Sequence, residues 1–326
     1  MTRPKVFVAR KIPDEGLNAI RAACDVDVWP DQLPPSAAEL RKRVADCDGL
    51  VSLLTDRVDA ALLDAAPNLK VVSNFAVGFN NVDVPACTAR GVSVGNTPGA
   101  LTDATADIAV TLLLAAARRI CESAADAKSG KWLTWEPLGW LGQELSGRTL
   151  GIVGMGRIGY GTAKRLRGGW GMNVLYTARG AKDDADLNLG ATRVQLDELL
   201  AKSDFVSVHA DLNPSTKGMF GAEQFKKMKR TAVFVNTSRG PLVDQTALAA
   251  ALRSGTIFAA GLDVTDPEPL PTDHELYALP NCVIVPHIAS ATVETRNAMA
   301  RLCAANLLAG VAGEPLPNCV NPEAAK

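Results

Sequence analysis

Residues Leu150-Gly-Ile-Val-Gly154-Met-Gly156-Arg157-Ile158-Gly159 run an apolar, β-forming segment straight into three spaced glycines and on into a helical stretch. Glycines cluster by chance in many chains, but a strand before them and a helix after them is the setting in which a dinucleotide's phosphates are held. Gly154 permits the tight turn, Gly156 lets a pyrophosphate reach the backbone, and Gly159 lets helix pack closely on strand. The first helical turn, with Arg157 and Ile158, presents amide donors and the positive end of the helix dipole. The plain alternative is a glycine-rich turn with no ligand. The dinucleotide reading accounts for the whole stretch.

The same strand–helix alternation continues on both sides of this motif. Lys5–Arg10, Asp25–Trp29, Gly49–Leu54, Leu69–Ala76 and Val92–Asn96 predict strands, with helices between them over Glu15–Cys24, Ser36–Asp46 and Asp59–Ala65. Six further apolar runs, the first at Thr149 and the last ending at Ile288, predict a second series. Its helices include Ile158–Arg167, Leu196–Lys202 and Gln245–Arg253. Such alternation gives parallel sheets covered by helices on both faces.

Between the two series, Leu101–Lys128 reads as one long Ala/Leu-rich helix, and Lys131–Gly142 gathers Trp132, Trp135 and Trp140. That cluster is too apolar for a free loop, so burial under a neighbouring element or in a subunit interface is expected. The first series lacks a closing element, which the helical tail Thr292–Gly310 can supply. The expected organisation is a discontinuous substrate-binding domain, 1–99 plus 288–326. A cofactor-binding domain, 100–287, is inserted into it, with 101–142 as dimerisation helix and loop.

At 326 residues the chain is about twice the usual single-domain size. Its 34 Lys and Arg balance 35 Asp and Glu for a net charge of −1, so neither nucleic acid nor an anionic membrane is an expected partner. The longest strongly apolar run, Ile108–Ala117, falls well short of the roughly 20 residues a bilayer crossing needs. Seven cysteines are scattered with no CxxC pair, which fits reduced thiols, a cytoplasmic setting and no metal site. A strand-like KVFVAR close behind Met1, followed by Asp14 and Glu15, disfavours a targeting segment.

The end of the second strand after the glycine motif separates the two common dinucleotides, because NAD sites usually place Asp or Glu there for the ribose 2′-hydroxyl. Here the strand runs into Thr177-Ala178-Arg179-Gly180-Ala181-Lys182, with no acid before Asp183. Arg179 and Lys182 suit a 2′-phosphate, which favours NADPH and leaves NADH as the second choice. A solvated basic turn is the bland alternative. The later strands end in His209, Thr237-Ser238-Arg239-Gly240, Asp263 and His287, at the edge where doubly wound sheets hold their ligands.

Arg239, Glu268 and His287 make chemical sense as a set. Reducing a 2-keto acid needs a cation for the carboxylate and an acid for the carbonyl oxygen. Arginine grips a carboxylate with a planar fork that lysine lacks. Histidine donates protons near neutral pH, and a carboxylate on its far nitrogen holds the imidazolium. Taken singly, each has a structural reading: a surface cation, a turn residue and a strand-end histidine.

With Val77-Gly78, Asn96–Gly99, Leu101–Thr105, Gly261–Pro271, Pro286–Thr292 and the ending Gly313–Pro317, these residues resemble the D-isomer-specific 2-hydroxyacid dehydrogenase family over nearly the whole chain. The glyoxylate/hydroxypyruvate reductase branch is the most similar. The resemblance implies an α/β fold of two doubly wound parallel-sheet domains, flavodoxin-like for the substrate and Rossmann for the cofactor. It implies Arg239 as carboxylate anchor, helped by the amides of Val77 and Gly78, with His287 as acid/base and Glu268 as its partner. Leu53, Val77 and Trp135 would wall a small pocket for a 2-keto acid, Trp135 reaching across a homodimer interface.

On the cofactor side, Asp263 would bond the nicotinamide carboxamide, and Thr105, Thr237 and Ala289 would line the cofactor. Thr177 and Arg179 resemble an NADP-preferring strand end. Two positions depart from the pattern. Ala289 stands where the family usually has Gly, adding a methyl beside the nicotinamide, and Asp211 replaces a common Pro, bringing an acid near the adenosine side.

The expected function is NADPH-preferring reduction of glyoxylate and hydroxypyruvate to glycolate and D-glycerate. One rival is another D-2-hydroxyacid dehydrogenase such as 3-phosphoglycerate dehydrogenase, disfavoured by the short stretch after His287. Phosphite oxidation is disfavoured by Val77, where a cation is wanted. A corepressor-like NAD(P)-sensing binding protein is disfavoured by the lack of extended tails.

Overall fold

The first five apolar runs form β1 (Lys5–Val8), β2 (Asp25–Val28), β3 (Gly49–Ser52), β4 (Val71–Asn74) and β5 (Ser93–Gly95) in a computed structural model, which describes residues 3–325. They pair in parallel in the order β2-β1-β3-β4-β5, the flavodoxin-like order. Every position of β3 and β4 is buried, as a parallel strand covered on both faces requires. The Asp-Val-Asp-Val edge strand β2 alternates between exposed and half-buried. The connecting helices are α1 (Asp14–Ala23), α2 (Ala37–Val44), α3 (Ala60–Ala65) and α4 (Val84–Ala89). Ser36, Asp59 and Asp83 cap the last three by accepting from backbone amides of the first turn.

The second unit, Thr102–Ser290, opens with α5 (Thr102–Ala117) and α6 (Ile120–Lys128). It continues through β6 (Thr149–Val153), α7 (Arg157–Trp170), β7 (Asn173–Thr177), α8 (Asp183–Leu189), β8 (Thr192–Arg193), α9 (Leu196–Lys202), β9 (Phe205–Val208) and α10 (Ala222–Lys227). It closes with β10 (Val233–Asn236), α11 (Gln245–Arg253), β11 (Ala259–Leu262) and β12 (Cys282–Ile284). The seven parallel strands run β12-β11-β10-β9-β6-β7-β8, a Rossmann order extended by one strand. One hydrophobic cluster gathers around Leu113, Ile152 and Tyr176, another around Phe220, Phe225 and Phe234. The rings of Phe225 and Phe234 meet edge to face at 5.4 Å.

After Ser290 the chain rejoins the first unit. Its helix α12 (Val293–Ala312) lays Met299, Ala300, Cys303 and Leu307 into one core with Leu17 and Ile20 of α1 and Val71 of β4. Among the described residues no helix is long and apolar enough to cross a membrane, and none of the His, Cys, Asp and Glu groups is placed to hold a metal.

Three expectations need correction. The stretch 101–128 is not one helix: Arg119 takes a left-handed φ of 55°, and the chain returns there so that the Gln143 amide donates to the Ala117 carbonyl at 2.9 Å. Arg119 then pairs with Glu122 and stacks its guanidinium 4.8 Å from the Trp140 ring centroid. The tryptophan loop is not buried under a neighbouring element of this chain. Trp132 and Trp135 are 72% and 80% exposed, and Leu133, Leu138 and Leu141 are exposed beside them. The second series has seven strands, not six. Thr192–Arg193 is a two-residue edge strand with no apolar signal to announce it.

Candidate active site

Strand register lines up one edge of the seven-stranded sheet. Thr177, Val153, Val208, Asn236, Leu262 and Ile284 lie level across β7, β6, β9, β10, β11 and β12. The residues that follow them, including Gly154, His209, Thr237 and Asp263, therefore emerge together at the carboxyl edge.

The glycine turn there has the shape its sequence predicts. Gly154 adopts φ +98°, and a Cβ on it would stand 2.6 Å from the His209 carbonyl oxygen. A Cβ on Gly159 would stand 2.2 Å from the Gly154 carbonyl oxygen, so only hydrogen lets α7 start this close to β6. Gly156 faces open space out to 4 Å, and α7 begins on it without a side-chain cap. Its first amides keep their donors for an anion. Arg157 is exposed and Ile158 half-buried in that first turn. Thr237, next along the same edge, buries its hydroxyl oxygen without a hydrogen-bond partner. An orphaned hydroxyl, an open glycine and an uncapped helix start fit a dinucleotide. Beyond β7, Thr177 is half-buried, and Arg179 and Lys182 are exposed.

Arg239 is placed by the strand before it. Asn236 donates from Nδ2 to the Arg239 carbonyl at 2.9 Å, and its Oδ1 accepts from the Ser238 amide at 3.0 Å. The guanidinium, half-buried, donates to the Ser238 carbonyl at 2.7 Å. Burial pulls the Arg239 pKa below its ordinary value, while the charges of Glu268 and Asp211 oppose that pull. Asp211, expected near the adenosine side, thus exerts its charge on Arg239.

His287 Nδ1 lies 2.8 Å from Glu268 Oε1. The turn carrying His287 takes φ 52°, a conformation that costs a non-glycine residue on the order of 1 kcal/mol or more. Asp263, 1% exposed, holds that turn: its two carboxylate oxygens accept from the amides of Ile288 at 2.7 Å and Ala289 at 3.1 Å. Burial raises the Asp263 pKa, and the Ile288 amide, then the His287 charge, draw it back. Gln245 fixes the approach to Glu268 by bonding both the amide and the carbonyl of Asp266. Neither Asp263 nor Gln245 suggests this holding role in the sequence, because their partners are backbone groups of turns.

The other histidines have structural partners. His209 Nε2 meets Ser207 Oγ at 2.9 Å, and burial pushes its pKa down to about 3. His274 Nδ1 accepts from the Leu276 amide at the start of a short 3-10 turn.

In the first unit, Leu53 follows β3 and Val77-Gly78 lies just beyond the adjacent β4. Asn96 Nδ2 donates to the Val77 carbonyl at 2.8 Å, and Asn74 Nδ2 to the Gly78 carbonyl at 2.9 Å. Both carbonyls thus accept from asparagine side chains, which fixes the backbone of this turn. Asn81 ties Leu53 to the same network through its carbonyl at 2.9 Å. Of the remaining expected residues, Thr105 is buried in the first turn of α5, Ala289 is buried beside the His287 turn, and Trp135 sits in the exposed loop.

The family model described as D-isomer specific 2-hydroxyacid dehydrogenase, NAD binding domain, matches residues 110–289. The chain belongs to this family. It is 50% identical over 325 residues to a glyoxylate reductase of Korarchaeum cryptofilum, covering 99% of this chain and 98% of that one. It is 49% identical over 317 residues to the human glyoxylate reductase/hydroxypyruvate reductase, covering 96% and 97%. A solved structure of an NADPH-dependent glyoxylate/hydroxypyruvate reductase from Sinorhizobium meliloti, with NADP and malonate, is 32% identical with a TM-score of 0.87 over 99% of this chain and 98% of that one. The chain is therefore an oxidoreductase with a nicotinamide cofactor, acting on small 2-hydroxy and 2-keto acids, and it groups with the glyoxylate reductase branch.

Proposed function

We propose that this dehydrogenase reduces glyoxylate to glycolate and hydroxypyruvate to D-glycerate, with NADPH preferred over NADH. The observation that carries the reading is the 2.8 Å contact of His287 Nδ1 with Glu268 Oε1, on an edge where Glu268 also acts on Arg239. The bound cofactor supplies the hydride that the keto carbon gains. His287 gives a proton from its other ring nitrogen to the carbonyl oxygen, while Glu268 steadies the ring through Nδ1. Arg239 holds the substrate carboxylate. Asp263 keeps the His287 turn in place, which adds a holding role to its expected contact with the carboxamide. Arg179 and Lys182, with no acid before Asp183, favour a 2′-phosphate.

The enantiomer formed from hydroxypyruvate tests this reading. Chiral chromatography should find D-glycerate alone, and L-glycerate would mean hydride delivery to the opposite face of the keto carbon.

The exposed Trp132, Leu133, Trp135 and Leu138 support a homodimer with this loop in its interface and Trp135 serving the partner's pocket, because monomers seldom expose apolar patches this large. Light scattering should return twice the 34.3 kDa chain mass. A single-chain mass would remove that role from Trp135.

A further inference from the structure

Arg193 belongs to the edge strand β8, level with Tyr176 of β7. Its guanidinium reaches over the end of β7 to the turn that follows. Nε and Nη2 donate to the Ala178 carbonyl at 3.2 and 3.0 Å, and Nη2 also donates to the Arg179 carbonyl at 3.2 Å. At the far end of the same turn, the Tyr176 hydroxyl accepts from the Lys182 amide at 2.9 Å. The stretch carrying Arg179 and Lys182 is thus fastened at both ends by side chains of the sheet. The fastening group at one end is itself a cation.

An exposed turn bearing two long basic side chains loses conformational freedom when it closes on an anion, and fixing its backbone beforehand reduces that loss. A phosphate monoester carries roughly 1.5 to 2 negative charges near pH 7, so a third neighbouring cation favours it further. We propose that Arg193 is a positioning residue for cofactor choice. It holds the 178–179 backbone so that Arg179 and Lys182 meet a ribose 2′-phosphate, and it adds its own charge beside them. The proposal rests on the NADPH reading above. It assigns to β8 a residue with no part in the chemistry of hydride or proton transfer.

The test compares dissociation constants for NADPH, NADH, 2′,5′-ADP and ADP on the full chain, with Arg193→Met and Arg193→Lys variants, by calorimetry. Arg193→Met should weaken NADPH and 2′,5′-ADP by tenfold or more, leave NADH and ADP within about twofold, and preserve kcat at saturating NADPH. Arg193→Lys keeps the charge but lacks the planar fork whose two nitrogens donate to the Ala178 and Arg179 carbonyls, so it should recover only part of the loss. Equal weakening of all four ligands, no weakening, or full recovery with lysine would overturn the positioning role. If the unaltered protein binds NADPH no better than NADH, the NADPH reading itself falls and the proposal falls with it. A preference that survives in Arg193→Met rejects the proposal alone.

Discussion

Replacing His287 with alanine is expected to lower kcat for keto-acid reduction by about 10²–10⁴-fold, the range a positioned general acid contributes. The dissociation constant for the nicotinamide cofactor should stay near its original value. The ring of the proposed proton donor is held in place: Nδ1 is engaged by Glu268 at 2.8 Å, which leaves the other nitrogen to act. The turn carrying it is kept in a left-handed conformation by Asp263 through two amide hydrogen bonds. An alanine at 287 removes the proton donor without touching the glycine turn at Gly154–Gly159, where the pyrophosphate is proposed to bind. Rapid-mixing kinetics with fluorescence titration of the cofactor separate the two effects. Near-normal turnover in the variant would remove His287 from the reaction.

Replacing Arg239 with alanine should raise KM and lower kcat together, with a combined loss corresponding to about 2–5 kcal/mol, the cost typical of truncating one partner of a buried charged pair. Two circumstances make the loss large. The guanidinium is half-buried and donates to the Ser238 carbonyl, so its charge is poorly screened by water. Its removal also leaves Glu268 and Asp211 facing an anionic substrate without the cation they act on. Arg239→Lys should restore the charge but not the fork, leaving kcat/KM about tenfold or more below the original. A steady-state comparison of the three proteins reads this directly. A lysine variant indistinguishable from the original would mean that charge alone, and not bidentate geometry, holds the carboxylate.

The sequence made the fold legible wherever burial imposed a pattern. The wholly buried runs at Gly49–Ser52, Phe205–Val208 and Val233–Asn236 are unmistakable, since a strand covered on both faces reads as a nearly continuous apolar run, broken here only by one polar residue in each. It was silent where structure is set by polar or local effects. The edge pair Thr192–Arg193 has no apolar residue, and α8 hides behind a basic turn and three aspartates. The break at Arg119 arises from a crossing chain that caps Ala117, which no periodicity reports.

Site residues follow the same division. Arg239, Glu268 and His287 stand out in the sequence because the proposed chemistry requires those side chains. The roles of Asn74, Asn96 and Gln245, and the hold of Asp263 on the His287 turn, depend on which backbone carbonyls and amides they meet. The tryptophan loop was expected to lie under a neighbouring element or in a subunit interface, and its exposure excludes burial within its own chain.

The most direct measurement is the initial rate of cofactor oxidation by the purified protein with glyoxylate and with hydroxypyruvate, each assayed with NADPH and with NADH. Turnover of both keto acids is expected, with a preference for NADPH of tenfold or more in kcat/KM, equivalent to about 1.4 kcal/mol. Tight nucleotide binding with no turnover of either acid by either cofactor would contradict the proposed function.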